Sequence, residues 1–166
     1  MNGSGNLPHA QYRRFEGMRE YEAVIDNLIP RTQGAIRVFD RTLSHAYNSP
    51  QRCEALHQFL LASRSNRIMI VLHEVEALDR TCPRMIQLFR HFNHAMSIRQ
   101  TLRAAKQVYD AFVIFDASHY VHRFHFDHLR AAQGTDDVIG AEQLLDRFAE
   151  IWEASAPAVS ASVSGL

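Results

Sequence analysis

Four histidines stand three residues apart, at 119, 122, 125 and 128, within VYDAFVIFDASHYVHRFHFDH (108–128). Imidazoles so spaced could ligate a metal or shuttle protons. On a helix, positions i and i+3 share a face and the set would converge. The stretch instead alternates Tyr120, His122, Phe124 and Phe126 against His119, Val121, Arg123 and His125. That is a strand pattern with a strand's aromatic content. His119 and His125 then share a face but lie roughly 20 Å apart at ~3.3 Å per residue, too far for two ligands of one ion. A metal site from this run would need the strand to break near Phe124, so neither metal nor cofactor is expected.

His122 and Arg123 carry more chemistry. An arginine grips phosphate or carboxylate through a bidentate fork, and a histidine exchanges protons near neutrality. Neighbouring strand positions face opposite sides, so at most one of the two points into a given pocket. Four further strand-associated side chains join them as candidates: His73 ends RIMIVLH, Arg99 lies in AMSIRQT, and Tyr109 and Asp116 open and close YDAFVIFD. Each also has a bland role: a capping histidine, a salt-bridged arginine, a turn aspartate, a half-buried strand tyrosine. The chain holds 17 arginines and one lysine, Lys106, so chemistry that needs an amine has a single candidate.

The elements that must position these residues alternate in period. MREYEAVIDNLIPRTQG (18–34) places Tyr21, Val24, Ile25, Leu28 and Ile29 at helical spacing, with Pro30 to end or kink the helix. AIRVFD (35–40) reads as a short strand. In the next helix Ser49 can cap, Pro50 fits the first turn, and Leu56, Phe59 and Leu60 form the buried stripe. RIMIVLH (67–73) is almost wholly apolar, as in the middle of a sheet. A helix over 82–93 and strands over 95–101, 109–116 and 119–126 follow. The last two strands, linked by Ala117 and Ser118, should form a hairpin. Ala141, Leu144, Leu145, Phe148, Ile151 and Trp152 mark a final helix. Helices between strands favour parallel neighbours. The expected fold is therefore α/β: a mixed, mostly parallel sheet with helices on both faces and a C-terminal hairpin plus helix. Ligands of such sheets sit at the C-terminal strand ends, here Asp40, His73 and residues 99–101.

This order of elements, ending in VYDAFVIFDASHYVHR, resembles a single phospholipase D-like domain over roughly residues 20–152. That family's signature is H-x-K-x4-D. FVIFDAS matches its strand, aspartate and turn, which puts Asp116 at the last position. The motif's histidine and lysine then fall on Tyr109 and Ala111. The resemblance implies an attack by histidine on phosphorus with lysines stabilising the charge, and both groups are replaced. It also implies half-sites completed by dimerisation. The expectation is an uncharacterised, bacterial, noncatalytic relative that binds a phosphate-bearing or other anionic ligand, or serves as an interaction module. The alternative is a phosphodiesterase or hydrolase with altered chemistry at Tyr109 or His122, with or without a metal ion.

Bulk properties bound these readings. The 166 residues suffice for one core. Domain limits are expected at 18–153, with a flexible N-terminus (1–17) and a flexible tail (154–166). Formal net charge is zero, which disfavours nucleic acid as a partner. Two cysteines without paired spacing, an N-terminal segment without a secretory apolar core, and no stretch long enough to span a membrane point to a cytoplasmic protein.

Overall fold

The structure, a computed structural model, describes residues 9–158. The elements run β1 (Gln11–Glu16), α1 (Met18–Leu28), β2 (Ala35–Asp40), α2 (Pro50–Ala62), β3 (Arg67–Leu72), α3 (Leu78–Thr81), α4 (Pro83–His91), β4 (Met96–Thr101), β5 (Ala111–Phe115), β6 (His119–Arg123), β7 (Arg130–Thr135), α5 (Val138–Glu153) and β8 (Ser155–Pro157). All eight strands join one sheet in the order β1-β7-β6-β5-β2-β3-β4-β8.

The α/β class and the mixed sheet are as expected, but the share of parallel pairing is smaller. Only β2–β3 and β3–β4 are parallel; the five other adjacent pairs are antiparallel. The cause lies in the connections. Helical crossovers return the chain before β3 and β4, whereas the link from β4 to β5 holds one short 3₁₀ turn, Arg103–Ala105. β5 therefore enters from the opposite direction and pairs with the free side of β2.

The two sheet faces are unequal. Ile36, Val38, Ile68, Ile70, Leu72, Met96, Ile98, Val113 and Val121 face α1, α2 and α4 in the larger core. Phe39, Val71, Phe112, Ile114 and Tyr120 pack under α5 alone. Strand alternation accounts for the division: Val38 and Phe39 lie one residue apart and belong to different cores. Ser49 caps α2 by accepting from Arg52 N (3.0 Å), with Pro50 in the first turn. Asp137 caps α5 at Gly140 N (3.1 Å) and also accepts from the Tyr120 hydroxyl (2.7 Å), which ties the helix start to the sheet.

Both ends of the ordered chain are longer than expected. Residues 11–16, assigned to a flexible terminus, form β1 and pair with β7 along its length. Residues 155–157, assigned to the tail, pair with β4. Residues 1–8 and 159–166 of those two segments lie outside the described residues. β7 and the short α3 were not anticipated, and the strand expected to reach Phe126 stops at Arg123.

Candidate functional site

The topology gathers several chemical side chains at one end of the sheet. β2, β3 and β4 finish there, at Asp40, Leu72 and Thr101. β5 begins there and β6 ends there, because both run in the sense that the hairpin dictates. The loop over 124–129 then crosses this end, pinned where Phe126 N donates to Tyr109 O (2.7 Å). The result is a pocket of about 320 Å³ lined by Arg41, His73, Lys106, Tyr109, His125 and Phe126, with Glu74 and Asp127 at its edge.

His73 lies at the back of this pocket, 7% exposed. Its Nε2 bonds Val108 O (2.7 Å) and its Nδ1 bonds Thr101 Oγ1 (2.6 Å). A carbonyl only accepts, so Nε2 carries the proton and Nδ1 accepts from the threonine. Burial lowers the imidazole's pKa, in keeping with a neutral ring. The rings of Phe39 and Phe126 meet it edge-on at 5.3 and 5.6 Å. Both nitrogens are thus committed, and the ring braces β3, β4 and the start of β5.

The cations at the mouth are less committed. Lys106 Nζ gives one hydrogen bond to His73 O (2.7 Å), leaving two N–H groups. The Arg41 side chain is exposed and has no partner among the described residues. Tyr109 is 54% exposed, and its ring lies against His125 at 5.8 Å with 29° between the planes. His125 Nδ1 accepts from Asp127 N (3.0 Å), which holds the imidazole in place.

His122 and Arg123 face opposite sides, as strand alternation requires. His122 Nε2 donates to Asp110 Oδ2 (2.7 Å) on the α5 side. Arg147 of α5 grips both oxygens of the same carboxylate. Asp110 is only 9% exposed, and although burial opposes ionisation, His122 and Arg147 bring its pKa down to about 2. Arg123 turns the other way, over Tyr21 and 3.9 Å from Asp40.

Two sequence candidates lie elsewhere. Asp116 caps the opposite end of the sheet: its carboxylate accepts from Gln33 N (2.9 Å), Gly34 N (2.7 Å) and Ala35 N (3.0 Å). Its φ of 56° closes the β5–β6 turn, a conformation aspartate tolerates. Arg99 bonds Ser155 Oγ (2.7 Å) and Ser155 O (2.6 Å) and stacks on Trp152 (4.5 Å), so it fastens β8 and α5 to the sheet. Neither reaches the pocket. The histidines also separate: His119 accepts from Asp136 N (3.0 Å) at the far turn, while His125 and His128 sit in the loop. The strand does break before Phe124, yet among the described residues no three His, Cys, Asp or Glu side chains are placed to share an ion.

Arg41, Lys106, Asp110, His125, Phe126 and Arg147 are the additions that sequence reasoning did not assign to the site. The lone lysine and the aspartate next to Tyr109 were the available signals; Arg41, Phe126 and Arg147 gave none.

A family profile described as "Domain of unknown function (DUF7931)" matches residues 17–161. The chain belongs to that family. Among solved structures, this DUF7931 chain is similar to Nuc of Salmonella typhimurium, a phospholipase D family member. The two share 16% identity over 92% of this chain and 100% of that one, with a TM-score of 0.67. NucT of Helicobacter pylori is 11% identical over 90% of this chain and 100% of that one (TM-score 0.57). The phosphatidylserine synthase of Haemophilus influenzae is 12% identical over 98% of this chain but 43% of the synthase (TM-score 0.63). These likenesses establish a phospholipase D-like fold for the DUF7931 chain. No curated protein matches it. Among its described residues, no helix is long and apolar enough to cross a membrane.

Proposed function

We propose that the chain is a noncatalytic binding module on a phospholipase D-like fold, and that the strand-end pocket holds a phosphate-bearing ligand. The observation that carries this reading is the division of labour in the pocket. His73 is locked by two hydrogen bonds into a structural role, while Arg41 and Lys106 keep donors directed to solvent at the mouth. Guanidinium and ammonium groups with free donors at the mouth of a partly enclosed site favour an anion. The exposed Tyr109 ring offers a flat apolar surface beside them. Tyr109 and Ala111 stand where the resemblance would place a nucleophile and its cation, and Ala111 is fully buried. With half of a phospholipase D-type arrangement per chain, the module is expected to be a homodimer, read by sedimentation velocity.

The test is calorimetric titration with nucleotides and glycerophosphodiesters, repeated with metal and with chelator. Binding weakened at least tenfold in Lys106→Met, without turnover of any compound, supports the proposal. Turnover by the unaltered protein refutes its noncatalytic part.

One observation favours a second reading. Asp110 holds His122 by Nε2, so in the neutral ring Nδ1 is an acceptor, with no partner among the described residues. An aspartate-oriented imidazole of this kind can serve as a general base. Phosphodiester turnover abolished in His122→Ala would establish this enzymatic reading.

A further inference from the structure

Arg41 and Phe126 also line a second, inner cavity of about 140 Å³, shared with Met18, Asp40, Thr42, Ser44 and Arg123. Both residues line the outer pocket too, so the two cavities adjoin at Arg41 and Phe126. The inner one is far below the ~300–1,000 Å³ usual for organic ligands. It nonetheless exceeds several times the ~30 Å³ share of one water.

Its walls contain a guanidinium without adequate acceptors. The Arg123 side chain is 12% exposed, and its Nη2 is 3.9 Å from Asp40 Oδ1, beyond hydrogen-bonding distance. Its Nη1 meets the thioether of Met18, a weak acceptor, and its buried Nε has no partner among the described residues. Buried donors are nearly always satisfied, so a guanidinium left in this state marks a place for an absent acceptor. Asp40 does not fill it as placed, since its Oδ1 accepts from Arg41 N (2.7 Å) and stands 3.9 Å from Arg123 Nη2.

We propose that this inner cavity is a site for one small tetrahedral oxyanion, held by the Arg123 fork, with Arg41 and the Thr42 hydroxyl completing the cage. The class is inorganic phosphate or the terminal phosphoryl group of a larger molecule. Neither lysine nor histidine lines the cavity, and it shares only Arg41 and Phe126 with the outer pocket.

The one acid in the cavity wall sets the conditions for binding. Asp40 is pushed up to about 6 by burial, against the pull of Arg123 and Arg41. The groups around it are Tyr21 and Glu22 of α1, Tyr47 of the segment before α2, Arg41 beside it and Arg123 of β6. Glu22 is itself paired with Arg52 at 2.8 Å, whereas Asp40 has only the looser approach of Arg123 at 3.9 Å. When protonated it stops repelling an anion and gains a donor. Oxyanion binding should therefore strengthen as pH falls through about 6.

Sulfate serves as the probe for this test, since it does not titrate between pH 5.5 and 8; calorimetry is run at constant ionic strength against chloride. The expected results are saturable sulfate binding that tightens at least fivefold from pH 7.5 to 5.5, and at least tenfold tighter binding at pH 7.5 in Asp40→Asn. Arg123→Met should lose binding, and Arg123→Lys should retain part of it. Lys106→Met should leave it unchanged, which separates failure here from failure of the outer-pocket reading. Equal responses to sulfate and chloride overturn the proposal. So does weaker binding in Asp40→Asn, a variant that preserves the side-chain shape. Comparing phosphate with glycerol 3-phosphate identifies the source: tighter binding of the ester supports a phosphoryl group entering past Phe126, and tighter binding of phosphate supports the free ion.

Discussion

Removing the Asp110 charge should destabilise the protein by an amount that depends on pH in a definite way. The carboxylate is 9% exposed and bonded to both Arg147 and His122. Its pKa falls from an ordinary 3.8 to about 2. At about 1.4 kcal/mol per pH unit, that displacement corresponds to about 2 kcal/mol in favour of the folded state. The sign follows from proton counting. Between the two pKa values the unfolded chain binds more protons than the folded one, so stability rises with pH there. The contribution is complete above about pH 4 and disappears as pH falls through about 2. Asp110→Asn should therefore lose about 2 kcal/mol at pH 7 in urea unfolding, with Arg147 left facing a neutral amide. The gap between variant and parent should narrow steadily from pH 4 towards pH 2. A variant within 0.5 kcal/mol of the parent at pH 7, or a gap that does not change with acid, would refute the assigned ion-pair network.

Three other outcomes follow from the packing. Asp116→Ala should cost about 2–3 kcal/mol, because three backbone N–H groups lose a charged acceptor. Asp116→Asn should recover much of it, and ligand titration should be unaffected by either change. His73 stays neutral when folded, with its pKa lowered by burial, so the unfolded chain takes up a proton first as pH falls. Its contribution is present above about pH 6.5 and is lost below it; thermal midpoints between pH 8 and 5 should fall more steeply in the parent than in His73→Gln. In Gly134→Ala the new Cβ would lie 2.2 Å from the Tyr120 ring, which anchors the cap of α5. Overpacking of this kind should cost about 2–3 kcal/mol in urea unfolding.

The sequence revealed those parts of the fold whose residues bury on one side only or on both. β3 and β5 were legible because both faces are covered, which makes RIMIVL and AFVIF nearly continuous apolar runs. β1 was not, because QYRRFE is exposed on almost every position and carries no period. β7 was masked by its small residues: Gly134 and Ala132 leave room for the Tyr120 ring and for His122, so the strand reads as loop. The parity of His122 and Arg123 could be read directly and is the arrangement observed. The pocket itself was only half visible. His73 and Tyr109 lie at strand ends, but Arg41 and Phe126 enter through loops; outside the pocket, the Asp110 network was hidden because Arg147 comes from 37 residues away. Asp116, the residue on which the sequence resemblance leaned, lies at the opposite end of the sheet, where it serves as a three-fold backbone acceptor.

The placement of the single lysine has a practical consequence. Lys106 supplies the only side-chain amine in the chain, and the fold puts it at the mouth of the outer pocket with its nitrogen against the His73 carbonyl. A mild amine-selective acylating reagent thus has one side-chain target, and that target is within reach of any molecule bound beside it. The extent of modification at Lys106, followed by peptide mass spectrometry so that the α-amino group is counted separately, becomes a gauge of occupancy at the pocket mouth. Compounds that protect the amine from labelling would reveal themselves as ligands even when no reaction accompanies their binding.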